Sequence, residues 1–257
     1  MDPGWPRSFL FGVDIDAVSM HQAVEWVLET AKLGCRPCRF VVTPNADHAI
    51  LLQEDDGLLR AYKDASLVVP DGWPVVLASR LLGKPLVERV TGSDLVPAVF
   101  EAASPSNPLR VYLLGAAPGV ADRAARLAEQ AYPGIRVVGA YGPPFGFERD
   151  AAENERILEK IREAKPELLL VGVGAPKQEL WVHRNRDRIE ASVALCIGAT
   201  IDFLAGEKAR APVVLRRLGL EWLHRALTEP RRLVPRYARN MVHFPKVVLR
   251  EWWHHGR

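Results

Sequence analysis

Short apolar segments that stop abruptly at polar residues, each followed by a helix-like stretch, constrain the fold of this chain most strongly. Residues 39–47 (RFVVTPNAD) and 66–72 (SLVVPDG) are two such segments. Repeated βα units predict a mostly parallel sheet with helices on both faces. Ligands of such open sheets bind outside the carboxyl ends of the strands. Asp71, at the end of the second segment, is therefore the first candidate for a residue that carries chemistry.

The predicted elements alternate along most of the chain. Strands are expected at residues 9–13, 39–42, 67–69, 111–114, 136–138, 168–171 and 193–197. Helices are expected after the capping box Ser19-x-x-Gln22 and near 46–63, 74–82, 120–132, 151–164 and 177–188. The sequence thus predicts a Rossmann-like α/β domain over residues 1–208 and a helical appendage over 209–257.

The appendage differs from the body in charge. Of the net charge of +3, residues 209–257 contribute +8 and residues 1–208 contribute −5. A helix is expected to start at Pro212, with one apolar and one basic face, and Pro230, Pro235 and Pro245 are expected to divide the remainder into short pieces. Such a segment is typical of a helix lying on an anionic lipid surface. A helix packed on its own domain, with solvated arginines, is the alternative.

The composition and the first residues restrict the class of protein. Apolar residues make up 48% of the chain and charged residues 25%, which is ordinary for a soluble protein. No signal peptide is recognised, and no run approaches the roughly 18 apolar residues of a spanning helix. The three cysteines have no second pair at zinc-finger spacing and are expected to be reduced thiols. We therefore expect a cytoplasmic protein.

Two glycine-containing loops could bind phosphate. Gly115-Ala-Ala-Pro-Gly119 lies between a strand and a helix, but such a turn is often purely structural. The segment 171–179 (VGVGAPKQE) is more specific, because Gly172 and Gly174 allow close backbone approach and Lys177 adds a cation. These features favour a nucleotide diphosphate.

Four aspartates have alternative roles. Asp202 could bind a base or ribose, or cap a helix. Asp71 could accept a proton from a substrate hydroxyl, or merely cap the helix that follows it. Asp14-Ile-Asp16 resembles the D-x-D of metal-dependent sugar transferases, but its place just before a capping box favours a turn or cap. No metal site or cofactor is predicted.

Together these segments resemble the bacterial WecG/TagA/CpsF glycosyltransferase family over about 200 residues in collinear order. The matching pieces are Thr43-Pro-Asn45, Val69-Pro-Asp-Gly72, residues 78–94 (ASRLLGKPLVERVTGSD), Leu113-Leu-Gly115, residues 171–179, Arg210-Ala-Pro212, residues 219–225 (GLEWLHR) and residues 229–232 (EPRR). The resemblance implies a UDP-sugar donor, a polyprenyl-diphosphate-linked sugar acceptor and inversion at the anomeric carbon. It also implies docking of the appendage on the cytoplasmic face of the plasma membrane, and homo-oligomers are possible.

The resemblance also implies roles for individual residues. Asp71 is similar to the general base, with Thr43 and Asn45 beside the sugar and Arg225 and Arg232 at the diphosphate. Further substrate contacts are expected from Arg89, Asp94, Gly115, Gly172, Gly174, Lys177, Gln178, Glu179 and Asp202. Arg236 is a further candidate, because Pro235 stands where the family often has another arginine.

Two other classes of protein remain as alternatives. Alternating βα units with glycine turns also build the sites of NAD(P)-dependent oxidoreductases, but G-x-G-x-x-G with a following acidic residue is missing. A nucleic-acid-binding protein would use the basic tail, yet no nucleic-acid-binding motif is recognised, and no nucleic-acid partner is expected.

Overall fold

The computed structural model describes residues 4–34, 36–212, 214–215 and 219–255. Its strands are β1 (Arg7–Leu10), β2 (Val13–Asp16), β3 (Arg39–Val42), β4 (Leu67–Val68), β5 (Leu109–Gly115), β6 (Ile135–Tyr141), β7 (Leu168–Gly172) and β8 (Val193–Cys196). Its helices are α1 (Met20–Lys32), α2 (Ala46–Leu51), α3 (Asp56–Lys63), α4 (Trp73–Leu81), α5 (Gly92–Ala102), α6 (Val120–Ala131), α7 (Ala151–Ala164), α8 (Lys177–Asn185), α9 (Thr200–Leu204), α10 (Glu221–Thr228) and α11 (Pro230–His255).

The main sheet of the described residues has six strands in the order β4-β3-β8-β7-β5-β6. Every neighbouring pair in it is parallel. The predicted α/β class, a mostly parallel sheet with helices on both faces, is thereby confirmed. Because all six strands run in one direction, their carboxyl ends share one edge of the sheet, and the loops that follow β3, β4, β7 and β8 lie side by side there.

Apolar residues fill both faces of this sheet. Along β3, Phe40 and Val42 join the core on one face while Val41 joins the core on the other. This alternation is what a strand buried on both sides requires, since successive side chains point to opposite faces. The central strands β3, β7 and β8 are consequently almost continuous runs of Val, Leu, Phe and Ala.

The first predicted strand, residues 9–13, is wrong. It is replaced by an antiparallel hairpin of β1 and β2, with a turn at Phe11 (φ 58°) and Gly12 (φ 90°). Asp14 and Asp16 therefore lie in a strand, and the turn or cap expected there is also wrong. Asp16 accepts hydrogen bonds from Arg7 Nε (2.9 Å) and from the backbone N–H of Val68 (2.8 Å), so it ties the hairpin to β4.

Helix boundaries differ where a local cap interrupts the hydrophobic pattern. The single helix expected over residues 46–63 is two helices, because Asp55 accepts a hydrogen bond from the N–H of Leu58 and starts α3. The capping box of α1 is confirmed, with Ser19 and Gln22 bonded reciprocally. Helices α5 and α9 had not been predicted.

The expectation that prolines divide the C-terminal segment is wrong. Helix α11 continues from Pro230 to His255 through Pro235 and Pro245. Leu233 is buried, and Phe244, Val247 and Val248 pack against the core. This burial offsets the hydrogen bonds that the prolines cannot make. Of the helix expected to start at Pro212, Val214 and Leu215 are helical, and α10 follows after a separate turn at Gly219; residues 213 and 216–218 lie outside the described part.

Helix α11 has two different faces. One packs on α2, where Arg236 pairs with Asp47 and Arg239 pairs with Glu54. The other is apolar and exposed, and its large side chains are Val234, Met241, Val242, Leu249, Trp252 and Trp253. Within the described residues, no helix is long and apolar enough to cross a bilayer.

Candidate active site

Two neighbouring loops at the carboxyl edge of the sheet place Asp71 beside Asn45. The backbone N–H of Asp71 donates to the carbonyl of Pro44 (2.8 Å), which joins the loop after β4 to the loop after β3. Gly72 follows with φ of 120°, a conformation that favours glycine and allows the chain to turn directly into α4. Asp71 is thus held at the sheet edge, half-buried, between β4 and α4.

Asn45 connects this loop to helix α2. As the N-cap of α2, its Oδ1 accepts hydrogen bonds from the N–H groups of Asp47 (3.0 Å) and His48 (3.3 Å). Its amide nitrogen remains available as a donor, and the Asn45 side chain hydrogen-bonds to Asp71. One side chain therefore both starts α2 and orients the carboxylate.

The surroundings of Asp71 favour a base that works near neutral pH. The pKa of Asp71 is raised to about 6, first by burial and then by the negative charge of Glu221, against the opposing charges of Arg89 and Arg225 and the hydrogen bond from Asn45. The alternative role as a helix cap is wrong, because the N-cap of α4 is Gly72 and no side chain caps that helix. A carboxyl with a raised pKa, at a ligand-binding edge, has the properties of a general base.

An ionic network joins the appendage to residues 89–94, at the start of α5. Arg89 Nη1 lies 3.4 Å from Glu221 Oε2 of α10, and Arg89 Nη2 lies 3.3 Å from Asp94 Oδ2. Arg210 Nη2 pairs with the other oxygen of Asp94 at 2.7 Å. Burial would raise the pKa of Asp94, but Arg210, Thr91 and Arg89 together hold it below its usual value. Arg89 and Asp94, which were expected to bind the substrate, thus join the appendage to the site in this structure.

Close packing of the appendage against the start of α4 also places the appendage beside Asp71. A Cβ atom added to Gly219, just before α10, would lie 2.5 Å from Cδ1 of Trp73, which is two residues after Asp71. Glycine is therefore required where the appendage crosses the start of α4. Asp71 and the appendage therefore lie in one continuous region.

Arg225 lies in a cavity of about 280 Å³ between α9 and α10. Its guanidinium carbon is 5.8 Å from the ring centroid of Phe203. Lys208 lines the same cavity and pairs with Glu229 (3.4 Å) and with Asp202 (3.6 Å). The carboxylates of Glu207 and Glu229 also line this cavity, and a guanidinium placed there can bind a phosphate-containing substrate.

Arg232 and Asp202 pair with residues that line this cavity. Arg232 pairs with Glu229 at 2.7 Å and is half exposed. Asp202 lies inside α9, whose N-cap is Ala199, so its alternative role as a helix cap is wrong. Arg232 and Asp202 are thus linked to the cavity of Arg225 through Glu229 and Lys208, and each of the three stays a prediction as a substrate contact.

Gln178, Glu179 and Thr43 lie beneath the surface of the site. Gln178 donates to Glu179 Oε1 (2.8 Å) and accepts from the N–H of Gly198 (3.1 Å), so it joins the loops after β7 and β8. Glu179 is fully buried, and Thr43 Oγ1 lies 3.5 Å from the carbonyl oxygen of Cys196. In this structure all three support the loops, and their expected substrate contacts remain predictions.

The glycines of the two loops and Lys177 lie in different environments. A Cβ atom at Gly115 would lie 2.5 Å from the carbonyl of Gly172, so both glycines serve packing between strand ends. Gly174, by contrast, borders open space. The ammonium of Lys177 lies 4.5 Å from the ring centroid of Phe145, in a separate groove of about 680 Å³ lined by α7 and α8. The structure thus places Lys177 and Arg225 in different cavities.

Comparison with known proteins agrees with this geometry. The model of the Glycosyl transferase WecG/TagA/CpsF family matches residues 8–257. The chain belongs to this family. Relatives include the N-acetylglucosaminyldiphosphoundecaprenol N-acetyl-beta-D-mannosaminyltransferases of Staphylococcus aureus strains NCTC 8325 / PS 47 and MRSA252. Each is 32% identical over 224 residues, which cover 87% of this chain and 85% of the relative.

Family membership confirms the expected class of enzyme, a glycosyltransferase, and removes the basis for the oxidoreductase alternative. Some residues of the site had not been singled out from the sequence. Glu221 and Arg210 belong to the matching motifs 219–225 and 210–212, but no role had been given to them. Asp47 and His48, in the first turn of α2, carried no recognisable motif beyond their position after Thr-Pro-Asn.

Proposed function

We propose that this enzyme transfers N-acetylmannosamine from UDP-N-acetylmannosamine to N-acetylglucosaminyl-diphosphoundecaprenol. The names of the relatives give the transferred sugar and the acceptor. The arrangement of Asp71 beside Arg225, with a cavity for a phosphate group, supports a nucleotide-diphosphate donor and carries the proposal for this chain. The product of the relatives is a β-linked sugar, so an α-linked donor requires inversion in a single displacement.

In the proposed mechanism Asp71 accepts the proton of the acceptor hydroxyl as that oxygen attacks the anomeric carbon. The pKa of about 6 leaves Asp71 ionised near pH 7 while keeping its proton affinity close to the working pH, which is favourable for a general base. Asn45 orients the carboxylate, and Arg89 and Glu221 fix the position of α10 next to it. The UDP group leaves from the opposite face of the sugar.

Negative charge grows on the β-phosphate as the glycosidic bond breaks. We assign its stabilisation to Arg225 and Arg232, whose planar guanidinium groups can form two hydrogen bonds to one phosphate. Arg225 already lies in the cavity, whereas Arg232 would have to exchange its pairing with Glu229 for the substrate. Fixed positive charge at the leaving group is among the largest contributions to catalysis.

The acceptor is attached to a lipid, so the active site has to meet a membrane. The exposed apolar face of α11 offers such a contact, and Trp73, Leu77 and Leu81 form a second exposed stripe along α4 that starts beside Asp71. With the excess of +8 in residues 209–257, these surfaces fit an anionic leaflet. We therefore propose that residues 209–257 dock the enzyme on the cytoplasmic face of the plasma membrane.

A UDP-release assay tests the proposed reaction. The purified enzyme is incubated with a short-chain polyprenyl-diphosphate N-acetylglucosamine and, in separate reactions, with UDP-N-acetylmannosamine, UDP-N-acetylglucosamine, UDP-glucose or UDP-N-acetylmannosaminuronic acid. We expect acceptor-dependent release of UDP with UDP-N-acetylmannosamine only. Release with a different donor would correct the sugar, and no release with any of the four would refute the proposed function.

Vesicle sedimentation tests the proposed docking surface. The double variant Leu249→Ser/Trp252→Ser removes two side chains that are 63% and 58% exposed. Because burying each of them in lipid is worth about 1.5–3 kcal/mol, we expect at least roughly tenfold weaker binding to phosphatidylglycerol vesicles. The matched variant Leu127→Ser, on α6, should bind as the wild type does. Equal binding by all three proteins would show that α11 is not the docking surface.

A further inference from the structure

Arg236 of α11 and Asp47 of α2 form a partly enclosed ion pair between the appendage and the catalytic domain. Arg236 Nη2 lies 2.9 Å from Asp47 Oδ2, and only 12% of the Asp47 side chain is exposed. The amide nitrogen of Asn240, oriented so that both of its polar atoms are satisfied, donates to Asp47 Oδ1 at 3.0 Å. Both carboxylate oxygens of Asp47 are therefore bound by residues of α11.

Asp47 is also part of the turn that orients the proposed base. Its backbone N–H donates to Oδ1 of Asn45 (3.0 Å), and the Asn45 side chain hydrogen-bonds to Asp71. The loops of Asn45 and Asp71 are joined again by the bond from the N–H of Asp71 to the carbonyl of Pro44. Only a few hydrogen bonds therefore separate Arg236 on the appendage from Asp71 in the catalytic domain.

We propose that the Arg236–Asp47 pair is a latch that fixes Asn45, and through it Asp71, when α11 is docked on α2. Arg236 is then a positioning residue rather than the diphosphate ligand expected from the sequence. The position of Asp47 explains why it has to be charged, since a carboxylate at the first turn of a helix and opposite a guanidinium is stabilised twice. The inference rests on the proposed function only in taking Asp71 as the base.

A double-mutant cycle tests the latch. Asp47→Asn and Arg236→Gln should each lower kcat roughly tenfold with little change in donor KM, and the double variant should lose no more than either single variant. Arg236→Lys, which keeps the charge, should retain most of the activity. The matched control is Glu54→Gln, which removes the exposed Arg239–Glu54 pair (2.8 Å) between α11 and the turn that follows α2, and should leave kcat unchanged.

The pH profile provides a readout that a general loss of stability would not change. Asp71 is surrounded by Glu221 and Arg225 of α10, by Arg89 and by Asn45, and the bond from Asn45 lowers its pKa. When Asn45 is released, the acid limb of kcat/KM should move to higher pH in Asp47→Asn and Arg236→Gln. Glu54→Gln should keep the wild-type limb.

Hydrogen–deuterium exchange tests the latch without turnover, so its result does not depend on the proposed reaction. We expect faster exchange over residues 45–51 in Asp47→Asn and Arg236→Gln, and none of this change in Glu54→Gln. Unchanged exchange in both variants would overturn the latch. So would additive losses of activity, or a higher acceptor KM in Arg236→Gln with wild-type kinetics in Asp47→Asn, because these are the results of a diphosphate ligand.

Discussion

Replacing Asp71 by Asn is expected to lower kcat by about 10²–10⁴-fold, the usual contribution of a general base. The substitution preserves the size of the side chain and removes its ability to accept a proton. The donor should still bind, because Arg225 and the cavity between α9 and α10 are unchanged. Turnover is measured by UDP release, and donor binding is measured separately by calorimetry or by thermal shift with UDP.

The pH dependence of the wild-type enzyme follows from the same residue. Because the pKa of Asp71 is raised to about 6, the ionised base is lost as the pH falls through that value, and kcat/KM should decrease tenfold per pH unit below it. Asp122→Asn, which alters an exposed carboxylate on α6, should leave both the rate and the profile unchanged. Near-normal turnover in Asp71→Asn would remove Asp71 from the role of base.

Replacing Arg225 by Gln is expected to lower kcat by about 10²–10³-fold, the usual effect of losing one donor that stabilises a developing negative charge. The guanidinium lies in the cavity of α9 and α10 and also attracts the ionised form of Asp71, so its loss weakens leaving-group stabilisation and lowers the ionised fraction of Asp71. Arg225→Lys should recover part of the rate, since it restores the charge without the planar pair of donors.

A second arginine of the appendage provides the control for Arg225. Arg231 lies at the exposed start of α11, and Arg231→Gln removes the same positive charge as Arg225→Gln does. With a short-chain acceptor in detergent, where membrane docking does not contribute, Arg231→Gln should retain the wild-type rate. Equal losses in Arg225→Gln and Arg231→Gln would show that the net charge of the appendage matters rather than the position of one guanidinium.

The sequence predicts the central sheet well because the signal for it is local. Each of the strands β3, β7 and β8 is an apolar run bounded by polar or glycine residues, and a buried parallel strand requires that pattern. The same local reasoning fails for α11, because Pro235 and Pro245 argue against a continuous helix until the packing of Phe244, Val247 and Val248 is known. Tertiary burial decides the outcome there.

The candidate site shows the same difference between what local sequence predicts and what tertiary structure decides. Asp71 and Asn45 could be predicted because the end of a parallel strand is where ligands bind. The partners that adjust them could not, because Arg89 and Glu221 are 132 residues apart and Arg210 and Asp94 are 116 residues apart. A motif identifies such residues as belonging to a family, but only the fold reveals which charges face one another.

Glu221 and Arg225 occupy successive turns of α10 and act on Asp71 with opposite signs. Displacement of α10 alone would withdraw a repulsion and an attraction at the same time, so the two changes act on the pKa of Asp71 in opposite directions. The same displacement would remove the positive charge of Arg225 from the departing nucleotide. An enzyme released from its lipid surface would therefore hydrolyse little of its donor.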